Sequence, residues 1–458
     1  MHTPLSRLSA WLLALALLLT ACAPASSLSK GSGSSAPEEP PAGTGGSPSQ
    51  SMDALPVAAP EPEPEPGPVL TQEDVDAALA QVMERYKAAG VTVAAVEKGQ
   101  LSQAGAWGWA VKNEREMTPD TKIRIASISK VVIGMCAVAM AEDGLLDLDA
   151  PIHTYWGEKA VNPYSKGQPT ARTFMTHTSS IKNLDTTRGL SKLRGILQSK
   201  SSWRSMEPGN GGYWSYSNFG MCILGTTLEL ASDQLLDDYL QKRLLEPIGA
   251  RASFCGGKLD VDEVATLYTT GGVGRSAAEH AGQKIPAQIG DTASYFPGGY
   301  TTSAVDMAKL VAVLANDGVY KEPVYEYVEV APAEGQEGVE YVIAQPIPGK
   351  FKETRLLTEE SVSELETPQF TVSLEGSAPF EQCLILRRQE DVMGQEVLYY
   401  HTGSAYGVFS LMTYNPVTKN GAVVITTGAS RNMNEHGMYA LCYDLMEILY
   451  QKMEEQPV

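Results

Sequence analysis

The sequence has few cysteines, and none are paired at a spacing typical of a metal or redox site. Six are present among 458 residues, without a Cys-x-x-Cys pattern, so neither a zinc site nor a disulfide framework is predicted. The sequence also lacks a cluster of basic residues. Its net charge is −19 at pH 7, which argues against a nucleic-acid partner on electrostatic grounds.

The apolar run at the start of the chain is too short for a comfortable transmembrane helix. It extends from Trp11 to Leu19 behind Arg7, and it predicts an export signal over residues 1–21. The run ends in Leu-Thr-Ala-Cys, which resembles the bacterial lipobox, so we expect Cys22 to be lipidated. The protein would then be held at the extracytoplasmic face of the membrane. An ordinary secretory signal with a chance cysteine is the alternative.

The segment after this signal has the composition of a tether. Residues 22–69 are mostly Ser, Gly, Pro, Ala and Glu, which cannot bury enough apolar surface to fold. We therefore predict a lipidated cysteine followed by a disordered linker. The folded domain is predicted to occupy residues 70–458.

The apolar patterns of that domain predict an α+β fold. They indicate, in chain order, a helix ending near Gly90, a hairpin over 91–110, a buried helix after Ser127, strands at 397–400, 408–414 and 421–427, and a helix over 433–452. We predict a mostly antiparallel sheet flanked by N- and C-terminal helices. Residues 70–144 and 300–458 would form this α/β part, and residues 145–299 an inserted all-helical part. Residues 321–350 look like an added hairpin or loop.

A Ser-x-x-Lys pattern is the first candidate for chemistry, although it is weak by itself. It occurs three times, beginning at Ser27, Ser127 and Ser179. The first lies in the tether, and the third is not followed by an apolar helix. Ser127 is followed by one, which would bury Lys130 and lower the pKa of its amine until it can accept the serine proton.

Two further motifs supply possible partners for that pair. In Tyr216-Ser-Asn218 the tyrosine can act as base and acid, and the amide can hold the lysine and contact a substrate carbonyl. A turn with a packed tyrosine and a capping asparagine is the alternative. In His401-Thr-Gly the glycine would admit substrate to a strand edge. The backbone N–H of Ser404 would complete an oxyanion hole with that of Ser127.

Taken together and in this order, the three motifs resemble the serine β-lactamase and penicillin-binding-protein superfamily, specifically its class C β-lactamase-like branch. The resemblance covers roughly residues 72–452. It extends to further segments, namely Thr118-Pro-Asp-Thr, Phe174-Met-Thr-His-Thr-Ser-Ser, Glu246-Pro-Ile-Gly and Gly298-Gly-Tyr-Thr-Thr-Ser followed by Asp306.

The resemblance implies roles for individual residues. Ser127 would be the acylated nucleophile, with Lys130 and Tyr216 as the acid–base pair. The predicted substrate contacts are Asn218, His401, Thr402 and Gly403, and the oxyanion donors are the N–H groups of Ser127 and Ser404. His177 also falls inside a family motif, where we expect a structural role. Neither a metal nor an organic cofactor is implied.

One departure from the family pattern bears on the substrate. His401 stands where β-lactamases and penicillin-binding proteins usually have a lysine that attracts an anionic carboxylate, and histidine is mostly neutral at pH 7. Histidine here resembles the esterase and D-amino-acid-peptidase relatives. We therefore predict a lipid-anchored serine hydrolase with weak or no β-lactamase activity. Its substrate would be an ester or amide of a small molecule or peptide, and cell-wall fragments are among the candidates.

Two alternatives remain open at this point. One is a D-Ala-D-Ala carboxypeptidase of the penicillin-binding type, or a true β-lactamase. The other is a non-catalytic lipoprotein that uses the same cleft to bind cell-wall fragments.

Overall fold

The structure, a computed structural model, describes residues 53–54, 72–330 and 341–454. The predicted signal peptide and Cys22 lie outside the described residues. Within the predicted tether the described residues are Asp53 and Ala54, which pair as a short strand with Gln103 and Ala104. The boundaries proposed for the signal and tether stay predictions.

The described strands follow one another along the chain from Asp53 to Thr427. They are β1 (Asp53–Ala54), β2 (Gly90–Glu97), β3 (Gln100–Val111), β4 (Arg115–Glu116), β5 (Ile123–Arg124), β6 (Leu267–Thr269), β7 (Gly272–Arg275), β8 (Thr301–Thr302), β9 (Val319–Val330), β10 (Tyr341–Arg355), β11 (Phe370–Val372), β12 (Phe380–Gln382), β13 (Arg387–Val392), β14 (Gln395–Ala405), β15 (Val408–Tyr414) and β16 (Gly421–Thr427).

The described α-helices extend from Gln72 to Glu454. They are α1 (Gln72–Tyr86), α2 (Ser129–Glu142), α3 (His153–Trp156), α4 (Ala171–Met175), α5 (Leu190–Gln198), α6 (Asn218–Ser232), α7 (Leu236–Leu240), α8 (Ala277–Ala281), α9 (Ala304–Ala315), α10 (Glu359–Glu366) and α11 (Ala440–Glu454).

One large sheet organises the described part of the chain. Its strands run in the order β1-β3-β2-β16-β15-β14-β13-β12-β11, with β4 paired to β3 outside this path. Every strand pairing in it is antiparallel. The N-terminal hairpin therefore joins the C-terminal strands through the β2–β16 pair, and the predicted α+β fold is confirmed.

The two faces of this sheet carry separate apolar cores because side chains alternate along each strand. On β16, Ala422 and Val424 pack with residues of α1 and α11. Val423 and Ile425 alternate with these two residues along the strand. They pack with residues of α2 and α9 on the other face. The terminal helices therefore cover one face, as predicted. The helix that follows the candidate nucleophile covers the other.

The region between α2 and β8 consists of helices joined by loops, and it also holds the hairpin of β6 and β7, so it is not all-helical as predicted. Its longest helix, α6, is buried from Phe219 to Glu229 and packs against α2. This packing brings the start of α6 near the start of α2. The short hairpin of β6 and β7, in which Val273 is exposed, was not predicted.

Of the segment predicted as an added hairpin or loop, residues 321–330 and 341–350 are described, and they lie in two antiparallel strands. Strands β9 and β10 pair with each other as a separate two-stranded sheet. Lys321 lies 3.5 Å from Glu353, and Lys352 lies 3.5 Å from Glu322, so two ion pairs connect the paired strands.

Two predicted helix boundaries were wrong. Helix α1 ends at Tyr86 because Lys87 takes a left-handed φ of 54°, whereas Gly90 is the first residue of β2. Helix α11 begins at Ala440 instead of Met433. The preceding residues form a turn, in which the side chain of Asn434 accepts hydrogen bonds from two backbone N–H groups.

Candidate active site

The candidate nucleophile lies in a tight turn just before a buried helix. Ala126–Ile128 form a 3-10 turn that follows β5, and α2 begins at Ser129. Ala126 has a φ of 52°, a left-handed conformation that residues other than glycine rarely adopt. Ser127 is partly exposed, whereas α2 is buried from Ser129 to Met140. The turn thus presents a reachable hydroxyl on a rigid support.

Lys130 is fully buried one turn beyond Ser127. Its Nζ donates hydrogen bonds to Oγ of Ser127 at 3.0 Å and to the carbonyl oxygen of Pro297 at 2.6 Å. Burial lowers the pKa of Lys130, and Arg387 adds to the lowering, while Tyr216 opposes it. A lowered pKa makes it easier for Lys130 to give up a proton, which it must do before its amine can take one from the serine.

Tyr216, the predicted partner of Lys130, lies in the loop before α6. Its ring centroid lies 4.9 Å from Nζ of Lys130. Burial raises the pKa of Tyr216, but the charge of Lys130, hydrogen bonds with Lys130 and Ser127, and the charge of Arg387 together bring it below its ordinary value. A phenol that ionises more readily can serve as base and then return the proton as acid.

His177 supports the Tyr216 loop. Its carbonyl oxygen accepts a hydrogen bond from the N–H of Ser215 at 3.0 Å, and its Nδ1 accepts one from the N–H of Ser217 at 3.3 Å. The rings of His177 and Tyr216 lie 4.5 Å apart between centroids. Burial, reinforced by nearby cations, holds the pKa of His177 well below its usual value, so the ring is neutral. These contacts agree with the structural role expected for it.

Asn218 is the first residue of α6, so its position is fixed by the helix cap. Ser217 caps the helix through its Oγ, which accepts a hydrogen bond from the N–H of Gly220 at 2.8 Å. The hydrogen bonds that Lys130 donates within the described part of the chain go to other groups. The structure therefore does not bring the Asn218 amide to the lysine, and contact with substrate is the role that remains proposed for it.

Gly403 faces the nucleophile turn and not an empty cleft. A Cβ atom at this position would lie 2.3 Å from the carbonyl oxygen of Ile125 and 3.2 Å from the nitrogen of Ser127. Oγ of Ser410 donates a hydrogen bond to the same Ile125 oxygen at 2.8 Å. The missing side chain therefore lets the nucleophile turn approach the strand, and the contact of Gly403 with substrate stays a prediction.

Ser404 has the backbone orientation that an oxyanion donor needs. Arg387 is the first residue of β13, and it pairs with Tyr400 of β14. Strand β14 continues for five more residues, 401–405, which have no partner in β13. A two-residue turn after Ala405 closes the β14–β15 hairpin, and hydrogen-bonded pairs alternate along an antiparallel ladder. The N–H groups of Thr402 and Ser404 therefore point away from β15. We call residues 401–405 of this strand the open edge.

His401 lies within β14 and not in a turn after it. It is 2% exposed, and its Nδ1 lies 2.7 Å from the carbonyl oxygen of Thr402, to which it donates as the neutral tautomer. Burial lowers its pKa well below the usual value, and the charges of Arg387 and Lys130 lower it further. The predicted neutral ring agrees with this environment, but its burial limits the direct substrate contact that was also predicted.

Arg387 is a cation of the site that sequence reasoning missed. Its guanidinium carbon lies 4.5 Å from the ring centroid of Phe380 and 5.9 Å from that of Tyr216. Within the described residues no carboxylate oxygen lies within 4 Å of its side-chain nitrogens. Nothing in the local sequence marks it. Only the pairing of Arg387 with Tyr400 brings it beside the site.

The structure separates the competing Ser-x-x-Lys patterns. Ser27 lies outside the described residues. In the pattern of Ser179 the serine is buried, and Nζ of the exposed Lys182 donates a hydrogen bond to the carbonyl oxygen of Ser201 at 2.7 Å. Its lysine therefore binds elsewhere. In the pattern that begins at Ser127 the lysine binds its own serine.

Together these groups form an arrangement suited to acyl transfer. The reachable hydroxyl of Ser127 lies against Lys130 and Tyr216, whose pKa values are lowered. The predicted oxyanion donors are the backbone N–H of Ser127, within the same turn, and that of Ser404 on β14. In the ranges that the structure describes, no cluster of three His, Cys, Asp or Glu side chains is placed to hold a metal. No helix in those ranges is both long and apolar enough to cross a bilayer.

Comparison with known proteins places this arrangement in a family. The Beta-lactamase family model matches residues 75–443 of the chain. A D-aminopeptidase from Brucella anthropi is 29% identical over 194 residues, which cover 39% of this chain and 35% of that protein. Esterase EstB from Burkholderia gladioli is 23% identical over 290 residues, covering 54% of this chain and 71% of the esterase. The chain thus spans about a third of the D-aminopeptidase it matches.

A solved structure shows the same fold. The D-amino acid amidase from Ochrobactrum anthropi SV3 superposes with a TM-score of 0.59 at 18% identity, covering 83% of this chain and 98% of the amidase. At this identity the likeness concerns the fold alone.

Proposed function

Because the chain belongs to the Beta-lactamase family, a family of serine hydrolases, we propose that it cleaves an ester or amide through an acyl-enzyme on Ser127. The observation that carries the proposal is the 3.0 Å hydrogen bond between Ser127 and the buried Lys130, with Tyr216 against the same pair. The names of the D-aminopeptidase and esterase relatives support an ester or amide substrate.

The reaction follows from the placement of these groups. The Lys130–Tyr216 pair takes the proton of Ser127 while Oγ attacks the substrate carbonyl carbon. The oxyanion of the tetrahedral intermediate accepts hydrogen bonds from the N–H groups of Ser127 and Ser404. When the intermediate collapses, Tyr216 returns the proton to the leaving oxygen or nitrogen. Water then attacks the acyl carbon while the same pair takes its proton. The bond between the acyl carbon and Oγ of Ser127 breaks, the pair returns the proton to Oγ, and the acid product leaves.

A substrate panel tests this proposal. The purified protein should hydrolyse short-chain p-nitrophenyl esters, and it should hydrolyse a chromogenic cephalosporin far more slowly than a dedicated β-lactamase does. The slow cephalosporin reaction is expected because His401 is neutral and supplies no cationic contact for the carboxylate of a β-lactam. Efficient cephalosporin hydrolysis without esterase activity would reverse the ranking. Binding without turnover of any ester or amide would favour the non-catalytic alternative.

One observation favours a second candidate, a D-Ala-D-Ala carboxypeptidase. Such a substrate ends in a carboxylate on the leaving-group side of the scissile bond. Arg387 lies beside Tyr216, the group that protonates the leaving nitrogen, and it has no carboxylate partner among the described residues. A guanidinium in this position can bind the terminal carboxylate.

Arg387→Gln should separate the two candidates. If the enzyme is a carboxypeptidase, the variant should lose about 10- to 100-fold in kcat/KM for a D-alanyl-D-alanine peptide, because a charge-assisted hydrogen bond is removed. Hydrolysis of the corresponding C-terminal amide should change much less. Release of D-alanine from the peptide and of D-alaninamide from its amide measures the two reactions. Arg388→Gln is the matched control, because this neighbouring arginine is bound to Glu381 and Glu390. Equal losses of kcat/KM for the D-alanyl-D-alanine peptide in Arg387→Gln and Arg388→Gln would eliminate the carboxypeptidase.

We further propose that the protein is exported and anchored by a lipid on Cys22, with the hydrolase domain at the extracytoplasmic face. The support is the lipobox-like end of the apolar segment and the tether-like composition of residues 22–69. Cys22→Ala should move the protein from the membrane fraction to the soluble fraction. An unchanged membrane fraction would contradict the anchor.

A further inference from the structure

Tyr406, in the turn between β14 and β15, lies between two arginine side chains. The guanidinium carbon of Arg124 is 5.1 Å from its ring centroid, and that of Arg275 is 4.7 Å away. Nη2 of Arg275 also lies 3.3 Å from the Tyr406 hydroxyl oxygen. All three residues are partly exposed. We call these three residues the arginine stack.

The arginine stack borders the nucleophile turn. Arg124 is three residues before Ser127, and its Nε donates a hydrogen bond to the carbonyl oxygen of Gly298. The preceding carbonyl, that of Pro297, accepts the hydrogen bond from Lys130. The stack therefore flanks the same backbone segment that positions the catalytic amine.

The stack and Arg387 lie at opposite ends of the open edge. Arg387 pairs with the residue just before the edge, and Tyr406 directly follows its last residue. At about 3.3 Å per residue, the five residues between these ends span roughly 16 Å. Because Tyr216 protonates the leaving group and lies beside Arg387, the leaving group belongs at that end. The acyl part of the substrate therefore lies toward the arginine stack.

The charge of Arg275 is not neutralised by a close carboxylate. Within the described residues no carboxylate oxygen lies within 4 Å of its side-chain nitrogens. The nearby Glu279 feels the charge of Arg275, but its carboxylate is hydrogen-bonded to the N–H and Oγ of Ser276, at 2.8 and 2.9 Å. The pKa of the buried His280 falls to about 3, first through burial and then through the charges of Arg124 and Arg275. The positive potential here contrasts with the chain's net charge of −19.

We propose that the arginine stack binds a carboxylate carried on the acyl part of the substrate, with Arg275 as the specificity-determining residue. Arg275 is stacked on an aromatic ring, which restricts the guanidinium and lowers the entropy lost when it binds an anion. This inference rests on the proposed acyl-enzyme mechanism, since that mechanism defines the acyl side. It assigns the substrate class as an ester or amide of a dicarboxylic or otherwise acidic acyl group.

Two p-nitrophenyl esters with acyl chains of equal length test the inference, the monoester of glutarate and the valerate. At low salt the wild-type enzyme should prefer the glutarate in kcat/KM, and sodium chloride should reduce that preference by screening the exposed charges. Arg275→Gln should lower the glutarate-to-valerate ratio about ten-fold, and Arg275→Lys should restore part of it. Arg251→Gln is the matched control, because this exposed arginine is paired with Glu263. It should leave the ratio unchanged.

The outcomes separate failure of the carboxylate site from failure of the proposed function. If neither ester is hydrolysed, the proposed function fails. If both are hydrolysed with no salt-sensitive preference for glutarate in the wild type, the carboxylate site is wrong whether or not the variants fold. Equal losses for both esters in Arg275→Gln would show that the arginine only supports Tyr406.

Discussion

Ser127→Ala should reduce turnover of every ester or amide substrate by at least about 10⁴-fold, because the covalent step has no other nucleophile. Ser127 is the hydroxyl that Lys130 contacts at 3.0 Å, and it is partly exposed to incoming substrate. The fold should tolerate the change. The measurements are steady-state hydrolysis and mass spectrometry of a fluorophosphonate or penicillin adduct, which should map to Ser127 and vanish in the variant.

Ser179→Ala is the matched control for this prediction. It makes the same change in another Ser-x-x-Lys pattern of the chain, where the lysine binds a backbone carbonyl instead of its serine. The control should keep both the adduct and turnover. An adduct at Ser179, or unchanged turnover in Ser127→Ala, would refute the assignment of the nucleophile.

Lys130→Met should lower kcat on the order of 10³-fold, the usual scale for loss of a positioned acid–base group. Methionine nearly matches the lysine stem in length and suits a fully buried site, so the packing of α2 should persist. The residual activity should move to more alkaline pH. The ammonium lowers the pKa of Tyr216, so its removal lets that pKa rise and leaves less phenolate at neutral pH.

The pH profile of kcat gives a readout that simple destabilisation would not change. An unshifted profile with intact folding would mean that Tyr216 does not share the proton with Lys130. Lys182→Met is the control, since this exposed lysine donates only to the backbone of Ser201. Surface changes of this kind usually have little effect. In this variant kcat should remain within about two-fold of wild type, and its pH profile should not shift.

The residues of the candidate active site could be singled out from the sequence because they lie in short motifs. Ser127 and Lys130 are one helical turn apart, and local context alone selected them from three similar patterns. Tyr216 needed the family resemblance, because nothing local shows that its loop meets α2. The structure places all three in contact.

The cationic contacts could not be predicted, because they depend on long-range pairing. Arg387 and Arg275 approach the site through strand register and a stacking contact, neither of which leaves a local pattern. The contact between Gly403 and the nucleophile turn was not predicted, for a related reason. A glycine in a strand indicates close approach of something, but only the packed structure shows that it is the nucleophile turn.

The secondary structure was predicted best where the apolar pattern was strong. Strands β15 and β16 matched their predicted bounds, because both are buried along their whole length. Strand β14 extends beyond its prediction to Ala405, since His401 and its polar neighbours interrupt the apolar run without ending the strand. Hydrogen bonding to β15 keeps these residues extended.

The reactivity of the five described cysteines can be used to measure transient unfolding of the domain. All are free and buried, and burial raises the pKa of Cys136, Cys383 and Cys442. Thiol reagents react with the thiolate, so such sites are both hidden and unreactive in the native state. The rate at which an alkylating agent labels them would therefore track transient unfolding. An oxidant would likewise reach these thiols only when the domain opens.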